Sequence, residues 1–402
     1  MTALRKSVTA PRIAPAAAPV IRVAHVNANF FAGAGGVMLR QAVGLDPQRY
    51  AITIVAPEDG ALLDRARVAG LAVVPLRKLR SGRHLYPSDD VEAAVELRER
   101  LRAGAFDVVH THGTKAGLIA RVAARRAGVP AVIHTLHGFP FNEFQSAATR
   151  RMLLELERRL ARITDWFMTA GTFVASEAVR LRIAPPDRIR AVVSPIDPLP
   201  PVTDSSRREA RARLGIADAT KVIGTTARLA AQKAPLDMVR AIAALDRDDV
   251  VMVWLGDGDL RAQTERLAAR LGLADRFLLL GNREDVSDLL PAFDVFAMSS
   301  LFEGLPCSLV EAMTCGIPVV ATAVNSVPEL VIPGRTGLTA RARDPRSLSV
   351  ALGYMLDHPA EASRMAAAAA AHVRDQLGSE TIAQATAEVY ECALRRKAAV
   401  AA

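Results

Sequence analysis

The 402-residue sequence has few cysteines, few aromatic residues and no long apolar run. Its three cysteines, Cys307, Cys315 and Cys392, form no Cys-x-x-Cys pair, which argues against a disulfide scaffold or a cysteine zinc site and favours a reducing compartment. No stretch approaches 18 consecutive apolar residues, so the sequence predicts no membrane-spanning helix. Aromatic residues make up only 4% and do not alternate with basic ones, which argues against nucleic-acid binding.

The first 20 residues also lack the unbroken apolar segment of a secretory signal. They are basic and rich in alanine and proline, and Pro11, Pro15 and Pro19 interrupt any apolar run. We expect residues 1–20 to be a flexible tail and the protein to be cytoplasmic.

Positive charge is in excess, and the excess is uneven. Lys and Arg number 51 against 42 Asp and Glu, and residues 1–200 hold 28 basic and 17 acidic residues against 23 and 25 in the remainder. A basic half attracts anionic partners. Residues 77–83 and 150–159 carry clusters of this charge, and the sequence leaves open whether they contact an anionic membrane surface or form a solvated face.

Length and hydrophobic patterning predict two α/β domains. Half of the residues are hydrophobic, and the chain is two to three times a usual single-domain length. Apolar runs alternate with helical patterns in both halves, which is typical of parallel sheets. The predicted strands cover 21–29, 51–57, 71–76, 107–112, 131–137, 221–229, 250–258, 276–281, 294–300 and 318–324.

A Pro- and Ser-rich break at 198–206 divides the two strand sets. We therefore assign residues 21–200 to an N-terminal, acceptor-side Rossmann-like domain and 201–375 to a C-terminal, nucleotide-binding one. Residues 376–402 are expected to form a C-terminal helix that packs back toward the N-terminal domain.

Ligands of parallel sheets bind where strands lead into helices. The first such loop contains Gly33-Ala34-Gly35-Gly36, which allows a phosphate to approach the backbone and the following helix N-terminus. The run is not a complete Gly-x-Gly-x-x-Gly fingerprint because Met38 occupies the last position. A phosphate loop and a plain turn both remain open.

The segment 299–322 carries the strongest signal. Glu303 and Glu311 are eight residues apart, which in a helix is about 12 Å, too far for an acid/base pair but suited to the two ends of an elongated ligand. Amides of Leu305, Cys307 and Ser308 open a helix between them and predict an anion site. The alternative is two surface glutamates beside a helix start.

Two basic residues follow the first strand of the second domain. Arg228 and Lys233 lie on one loop and are able to offer two fixed positive charges to a diphosphate, in place of a divalent cation. Basic residues on a loop are more often simply solvated, and this alternative stays open.

Histidines cluster at strand ends in the first domain: His110, His112, His134 and His137. Such sets are able to bind a metal. No cysteine or carboxylate completes a ligand set nearby, so we favour polar lining of the cleft.

The segment around Glu303 resembles the E-x7-E signature of retaining glycosyltransferase family 4. The resemblance rests on 303–306, 311–313 and 316–322, and it extends over roughly 21–390. Residues 107–141 look like the bacterial subgroup that builds exopolysaccharide, capsule and lipid-linked oligosaccharide. The resemblance implies the GT-B fold, in which two Rossmann-like domains face each other across a cleft, and a reaction that needs neither metal nor cofactor.

The resemblance also implies residue roles. Glu303 would contact hydroxyls of the transferred sugar and Glu311 the ribose, while Arg228 and Lys233 would hold the diphosphate. His137 matches a family histidine near the sugar and the acceptor. Further donor-binding positions implied by the resemblance are Gly35, Gly36, Arg283, Leu305, Ser308 and Leu309.

The chain departs from the family pattern at several positions. Thr322-Ala323-Val324-Asn325-Ser326 replaces the usual Thr-Asp-x-Gly-Gly, and Ser194-Pro195-Ile196-Asp197 stands where an Asn-Gly-Ile-Asp hinge is common. Ala227 precedes Arg228 and Ala234 follows Lys233, where glycines are usual. These departures affect donor identity and closure geometry without removing a charged contact.

The resulting hypothesis is a retaining glycosyltransferase of cell-surface polysaccharide synthesis. It would move a hexose or N-acetylhexosamine from a nucleotide-diphosphate sugar, with UDP as the expected nucleotide, to a glycan or polyprenyl-diphosphate-linked acceptor. It would be cytoplasmic, with peripheral attachment to the plasma membrane left open. Alternatives are a nucleotide-sugar 2-epimerase, an NAD-dependent dehydrogenase, which the incomplete glycine fingerprint disfavours, and an inactive nucleotide-binding partner subunit.

Overall fold

The computed structural model describes residues 19–31, 33–82, 86–192 and 199–401. Most of the predicted N-terminal tail, Arg83 of the basic cluster and the Ser194-Pro195-Ile196-Asp197 motif lie outside the described residues.

The N-terminal domain contains a seven-stranded parallel sheet. Its central strands are short apolar runs that are buried along their whole length, because helices cover both faces of the sheet. The strand order is β3-β2-β1-β4-β5-β6-β7. The strands are β1 Ile21–Asn27, β2 Tyr50–Pro57, β3 Ala72–Leu76, β4 Val108–His112, β5 Ala131–Leu136, β6 Trp166–Thr169 and β7 Ile189–Ala191. The helices are α1 Ala34–Gly44, α2 Leu63–Val68, α3 Pro87–Gly104, α4 Thr114–Ala127, α5 Ala147–Ala161 and α6 Thr172–Arg180.

The C-terminal domain contains a six-stranded parallel sheet in the order β10-β9-β8-β11-β12-β13. The strands are β8 Lys221–Thr226, β9 Val250–Leu255, β10 Phe277–Leu279, β11 Val295–Met298, β12 Val319–Thr322 and β13 Leu338–Ala340. The helices are α7 Asp204–Leu214, α8 Pro235–Leu245, α9 Arg261–Arg270, α10 Val286–Leu289, α11 Cys307–Thr314, α12 Val327–Leu330, α13 Pro345–Asp357, α14 Pro359–Leu377 and α15 Ser379–Ala401.

The predicted fold class is therefore confirmed, while the strand count was incomplete. The sequence predicted five strands in each half, and the structure adds β6, β7 and β13. These three strands have only three or four residues each. Runs this short are difficult to separate from loop residues by pattern alone.

An aspartate anchors the start of one strand to its neighbour in three places. The carboxylates of Asp107, Asp165 and Asp294 each accept a hydrogen bond, at 2.7 to 2.8 Å, from a backbone amide that begins an adjacent strand. Each aspartate immediately precedes a strand of its own. These bonds satisfy amides at the amino edge of the sheets, so the opposite edge carries the exposed loops.

Strand order reverses once in each sheet. In the first sheet β1 lies beside β4, and in the second β8 lies beside β11. Loops that leave such neighbours turn to opposite faces of the sheet, which opens a crevice at their carboxyl ends.

The last helix returns to the N-terminal domain. Helix α15 packs against α1 and β5. Its Glu391 accepts from Arg49 at 2.6 Å, and its Lys397 lies 3.2 Å from Asp165. Helix α14, in contrast, packs on α11 and α12 of the C-terminal domain. Across the described ranges, no helix combines the length and the apolar character needed to cross a bilayer.

Candidate active site

A short 3₁₀ turn, Ala231–Lys233, places Lys233 beside Glu303 at the β8/β11 crevice. The Gln232 carbonyl accepts from the amide of Leu301 at 2.8 Å, and the Gln232 side chain donates to the carbonyl of Phe302 at 2.9 Å. These two bonds join the loop after β8 to the loop after β11. As a result, Lys233 Nζ lies 2.5 Å from Glu303 Oε1, and both side chains are largely buried.

Asn325 binds the backbone of Glu303. Its Oδ1 accepts from the Glu303 amide at 2.9 Å, and its own backbone has φ 48°, a left-handed conformation. Asparagine tolerates this conformation better than most residues, although less well than glycine. Asn325 therefore adopts a left-handed backbone of the kind that glycine adopts readily, and its side chain adds a hydrogen bond to the loop that carries Glu303.

Helix α11 directs its amino terminus at the same crevice. The Leu309 amide donates to the Pro306 carbonyl at 3.1 Å, and the Leu309 side chain is buried in the core. The amides of Cys307 and Ser308 make no hydrogen bond within the described part of the chain. These two amides therefore remain as donors for an anion, with Leu305 partly exposed beside them. Glu311 lies on the next turn of the helix.

The two predicted arginines differ in setting. Arg228 follows β8, is exposed, and its guanidinium forms no ion pair with any residue that the structure describes. Arg283 follows β10, the edge strand, and binds Asp285 through two hydrogen bonds of 2.6 and 2.7 Å. The bonds to Asp285 raise the pKa of the Arg283 guanidinium. The base-binding role of Arg283 stays a prediction.

The glycine loop of the N-terminal domain becomes the first turn of α1. A side chain on Gly35 would place its Cβ 2.8 Å from the carbonyl oxygen of Asn29, so close packing against the preceding loop requires glycine there. A Cβ on Gly36 would lie 3.4 Å from the guanidinium of Arg40, one turn further along the helix.

Arg40 reaches the site from the opposite domain, and sequence reasoning missed it. Burial raises the pKa of the Cys307 thiol, and the positive charges of Arg40 and Lys233 act against this effect. Charges from both domains, Arg40 of α1 and Lys233, therefore act on the first residue of α11. The available signal was the spacing of four residues from Gly36, which places Arg40 on the face of α1 that carries the glycine.

The two domains touch at this crevice. A Cβ on Gly304 would lie only 2.0 Å from the carbonyl oxygen of His137, at the end of β5. Nearby, the Glu329 carboxylate accepts from the amides of Thr172 and Phe173 at 2.9 and 2.8 Å, at the start of α6. The structure thus brings His137 against the loop that carries Glu303.

Four histidines form a stack at the β1/β4 crevice, three of them buried and His137 partly exposed. Sequence reasoning missed the first of them, His25. His25 Nδ1 lies 3.1 Å from His112 Nε2, and His112 Nδ1 lies 3.2 Å from His137 Nε2. The His110 ring is tilted against that of His112, with ring centroids 4.2 Å apart. One nitrogen from each of His25, His110 and His112 lies within 4.8 Å of the others, a spacing that would permit a metal.

His134 does not line the cleft, so this part of the histidine prediction was wrong. Adjacent residues of a strand point to opposite faces, and His134 points away from Thr135. Its Nδ1 lies 2.8 Å from Thr111 Oγ1, and its ring packs edge-on against Phe167.

Burial keeps the imidazoles of the stack neutral. It lowers the pKa of His25 to about 3 and that of His137 to about 4. Burial also lowers the pKa of His110 and His112 well below the ordinary value, and neighbouring histidines add to the effect.

We predict that acid destabilises the protein through these histidines. Because their folded pKa lies below the unfolded value of 6.5, unfolding takes up protons below that pH, and stability is lost as the pH falls toward 4. Between about pH 7.5 and about pH 5, His25 and His137 should each lower the free energy of unfolding by about 2 kcal/mol. Urea denaturation at the two pH values measures this. Equal midpoints, or an equally steep dependence in His25→Gln, would contradict the prediction.

Family models match both domains. The model described as glycosyl transferases group 1 matches residues 206–372, and the model described as a glycosyl transferase 4-like domain matches residues 32–195. The two matches divide the chain at the same place as the two sheets.

Individual proteins are similar over most of the chain. A D-inositol 3-phosphate glycosyltransferase of Streptomyces scabiei is 34% identical over 73% of this chain and 69% of its own length. The UDP-Gal:alpha-D-GlcNAc-diphosphoundecaprenol alpha-1,3-galactosyltransferase of Escherichia coli is 29% identical over 76% of this chain and 80% of its own.

Solved structures share the fold. HepE of Anabaena in complex with UDP and glucose superposes with a TM-score of 0.80 at 20% identity, covering 92% of this chain and 100% of its own. WaaG, a glycosyltransferase involved in lipopolysaccharide biosynthesis, gives a TM-score of 0.72 at 17% identity, over 92% and 99% of the two chains. With both domains matched and both sheets arranged in this way, the chain belongs to glycosyltransferase family 4 and has the GT-B fold.

Proposed function

We propose that this glycosyltransferase uses a UDP-sugar and transfers the sugar, with retention of configuration, to a polyprenyl-diphosphate-linked acceptor in cell-surface polysaccharide synthesis. The observation that carries the proposal is the β8/β11 crevice itself. There Lys233 is paired with the buried Glu303, and the amides of Cys307 and Ser308 are directed at the same space. A cation beside helix-terminal amides suits a diphosphate, and a buried carboxylate suits sugar hydroxyls.

The relatives support the donor and acceptor classes. The Escherichia coli relative is named for a UDP-galactose donor and an undecaprenol-diphosphate-linked acceptor, and the HepE structures hold UDP and glucose or UDP-glucose. The Streptomyces relatives are named for an inositol phosphate acceptor instead. We favour the lipid-linked acceptor because the exposed Arg150 and Arg151 of the N-terminal domain, beside the exposed Met152, suit an acceptor that is presented at an anionic membrane.

The chemistry follows from what the crevice offers. Glu303 is bound to Lys233, so its carboxylate serves to orient sugar hydroxyls and not to attack the anomeric carbon. We infer a front-face displacement, in which the acceptor hydroxyl enters on the side from which the diphosphate leaves and passes its proton to that diphosphate. Lys233, Arg228 and the α11 amides would stabilise the departing charge, and Glu311 would hold the ribose.

Two alternatives make different predictions. A nucleotide-sugar 2-epimerase would convert the donor without an acceptor, whereas a transferase releases UDP fastest when an acceptor is present. An inactive partner subunit would bind UDP without turnover. Asn325, one of the departures from the family pattern, holds the Glu303 loop in place through a 2.9 Å hydrogen bond, which favours an active enzyme.

We predict that Lys233→Ala lowers kcat by about 100- to 1,000-fold because it removes a cation from the leaving diphosphate. UDP release with a panel of UDP-sugars measures this effect. A second variant, Glu311→Ala, should instead weaken UDP binding, which calorimetry with UDP measures. Arg240→Ala, an exposed arginine on α8, is the matched control. Near-normal turnover in a folded Lys233→Ala protein would remove Lys233 from the mechanism.

We predict that Gly304→Ala uncouples donor binding from transfer. The added Cβ would lie 2.0 Å from the His137 carbonyl oxygen, which is too close, so the two domains cannot approach each other as closely as they do with Gly304. We expect kcat to fall about 100-fold while UDP affinity changes little. Gly138→Ala is the control, because a Cβ there meets nothing within 4 Å among the described residues. Equal kcat in the two variants would contradict this role.

We also propose that α5 contacts an anionic membrane. In the predicted cluster at 77–83, Arg77 and Lys78 are 3.4 and 3.0 Å from carboxylates, so that segment offers less free charge than its sequence suggests. On α5, Arg150 and Arg151 are exposed beside Met152, whose exposed fraction is 61%.

The start of α5 also lies at the cleft. In the loop before it, the Phe144 ring is 6.1 Å from that of Phe302, and Glu143 is 2.7 Å from Arg343 of the C-terminal domain. A lipid-linked diphosphate approaching from a membrane under α5 would therefore arrive at the mouth of the crevice.

The double variant Arg150→Glu/Arg151→Glu should lower partitioning onto phosphatidylglycerol vesicles by at least about tenfold, since each basic residue near the surface contributes about 1 kcal/mol. Arg266→Glu/Arg270→Glu, which reverses two exposed charges on α9, is the matched control. Partitioning that is equal in the two variants, or insensitive to salt, would contradict the membrane proposal.

A further inference from the structure

A continuous hydrogen-bonded path joins the C-terminal helix to the active-site histidine. The hydroxyl of Tyr390, on α15, lies 2.9 Å from His25 Nε2 and 2.8 Å from His110 Nδ1. The first branch continues through His112 to His137, with the spacings of 3.1 and 3.2 Å given above. The second branch ends where His110 Nε2 lies 2.6 Å from Thr135 Oγ1.

Every residue of the path except His137 is buried. The side chains of Tyr390, His25, His110 and His112 are between 0 and 1% exposed, and Thr135 is 3% exposed. Only His137, at the carboxyl end of β5, is partly exposed. Water is therefore excluded from the interior of the path, and the members must satisfy one another.

Counting protons leaves three arrangements, of which one is excluded at once. Each neutral imidazole, the phenol and the threonine hydroxyl hold one proton, and each of the five hydrogen bonds needs one. If Tyr390 donates to His25, every later bond of that branch runs toward the cleft and His137 keeps its proton on Nδ1. If Tyr390 donates to His110, every bond in both branches reverses and His137 carries its proton on Nε2. If Tyr390 accepts from both histidines, its own buried proton has no acceptor among the described residues, which is unfavourable and excludes this arrangement.

Thr135 distinguishes the two arrangements. In the first arrangement its hydroxyl donates to His110 Nε2 and is satisfied. In the second it only accepts, and its own proton needs another acceptor. Thr135 Oγ1 makes no other hydrogen bond within the residues that the structure describes. Leaving a buried hydroxyl proton without an acceptor is unfavourable, so the first arrangement is preferred.

We propose that Tyr390 is a positioning residue that holds His137 as the Nδ1–H tautomer. His137 then presents a hydrogen-bond donor on the side of its ring away from His112, and it is not available there as a base. The ligand of this group rests on the proposed function, under which the Nδ1–H group would bind a hydroxyl of the transferred sugar. The proton of the acceptor hydroxyl would then pass to the departing diphosphate and not to His137. The tautomer itself does not depend on the proposed function.

Nitrogen NMR tests the tautomer without any substrate. In ¹⁵N-histidine-labelled protein, long-range proton–nitrogen spectra distinguish a protonated ring nitrogen from a bare one, and His137→Gln identifies the His137 signals. We expect a single Nδ1–H tautomer in the wild type and a mixture of both tautomers in Tyr390→Phe. Tyr50→Phe is the matched control, because the Tyr50 ring contacts Tyr390 edge-on at 5.9 Å but touches no histidine of the path.

A second pair of variants keeps the proposal testable if Tyr390→Phe does not fold. Thr135→Val removes the hydroxyl that selects the arrangement while preserving shape, and Thr135→Ser retains it. The valine variant should show both tautomers and the serine variant one. An Nε2–H tautomer in the wild type, or no change in either Tyr390→Phe or Thr135→Val, would overturn the proposal.

Kinetics and elemental analysis complete the test. Tyr390→Phe should lower kcat about tenfold with the donor KM unchanged, the effect of losing about one hydrogen bond in the transition state. Stoichiometric zinc in the purified protein would overturn the proposal, because a bound metal would take the nitrogens that this path requires. A wild type with the expected tautomer but no transferase activity would refute the proposed function and leave the tautomer assignment standing.

Discussion

Parallel strand pairing is the constraint on which the rest of this protein depends. A parallel sheet needs a crossover after each strand, so all strands end at one edge, and the reversal of order beside β1 and beside β8 opens a crevice at that edge. Both crevices collect the polar residues of their domain. The two edges face each other, so the His137 carbonyl lies against Gly304. The loops of both domains therefore line one cleft.

The two sides of the cleft carry different electrostatics. On the C-terminal side the polar groups are charged, and Glu303 is stabilised by Lys233 at 2.5 Å. On the N-terminal side, burial keeps the histidines neutral, and they satisfy one another through hydrogen bonds. Burying an isolated charge or an unpaired polar group is unfavourable. The C-terminal side avoids this with an ion pair, and the N-terminal side avoids it with hydrogen bonds between neutral rings. Under the proposed function, the charged side would hold the diphosphate and the sugar hydroxyls bound by Glu303, and His137 is the member of the neutral side that is exposed to the cleft.

Departures from the family pattern have local explanations. Asn325 and Ala234 both adopt left-handed backbone conformations, with φ 48° and 46°, at positions where relatives commonly carry glycine. Asn325 offsets its strain with the hydrogen bond to Glu303, whereas the methyl group of Ala234 has no polar atom to do so. Ser326 is fully buried, and a Cβ on Gly171 would lie 2.7 Å from its hydroxyl oxygen.

The sequence by itself determined the fold class and the family, because runs buried on both faces and the E-x7-E segment are local patterns. Lys233 and Glu303 are 70 residues apart, yet each lies beside a recognisable strand end. Only the tertiary structure decided that Arg40 shares their site, that His134 faces away, and that His25 and Tyr390, 365 residues apart, meet. Contacts of this kind depend on which strands are neighbours and where a returning helix packs, and neither leaves a periodic signal in the chain.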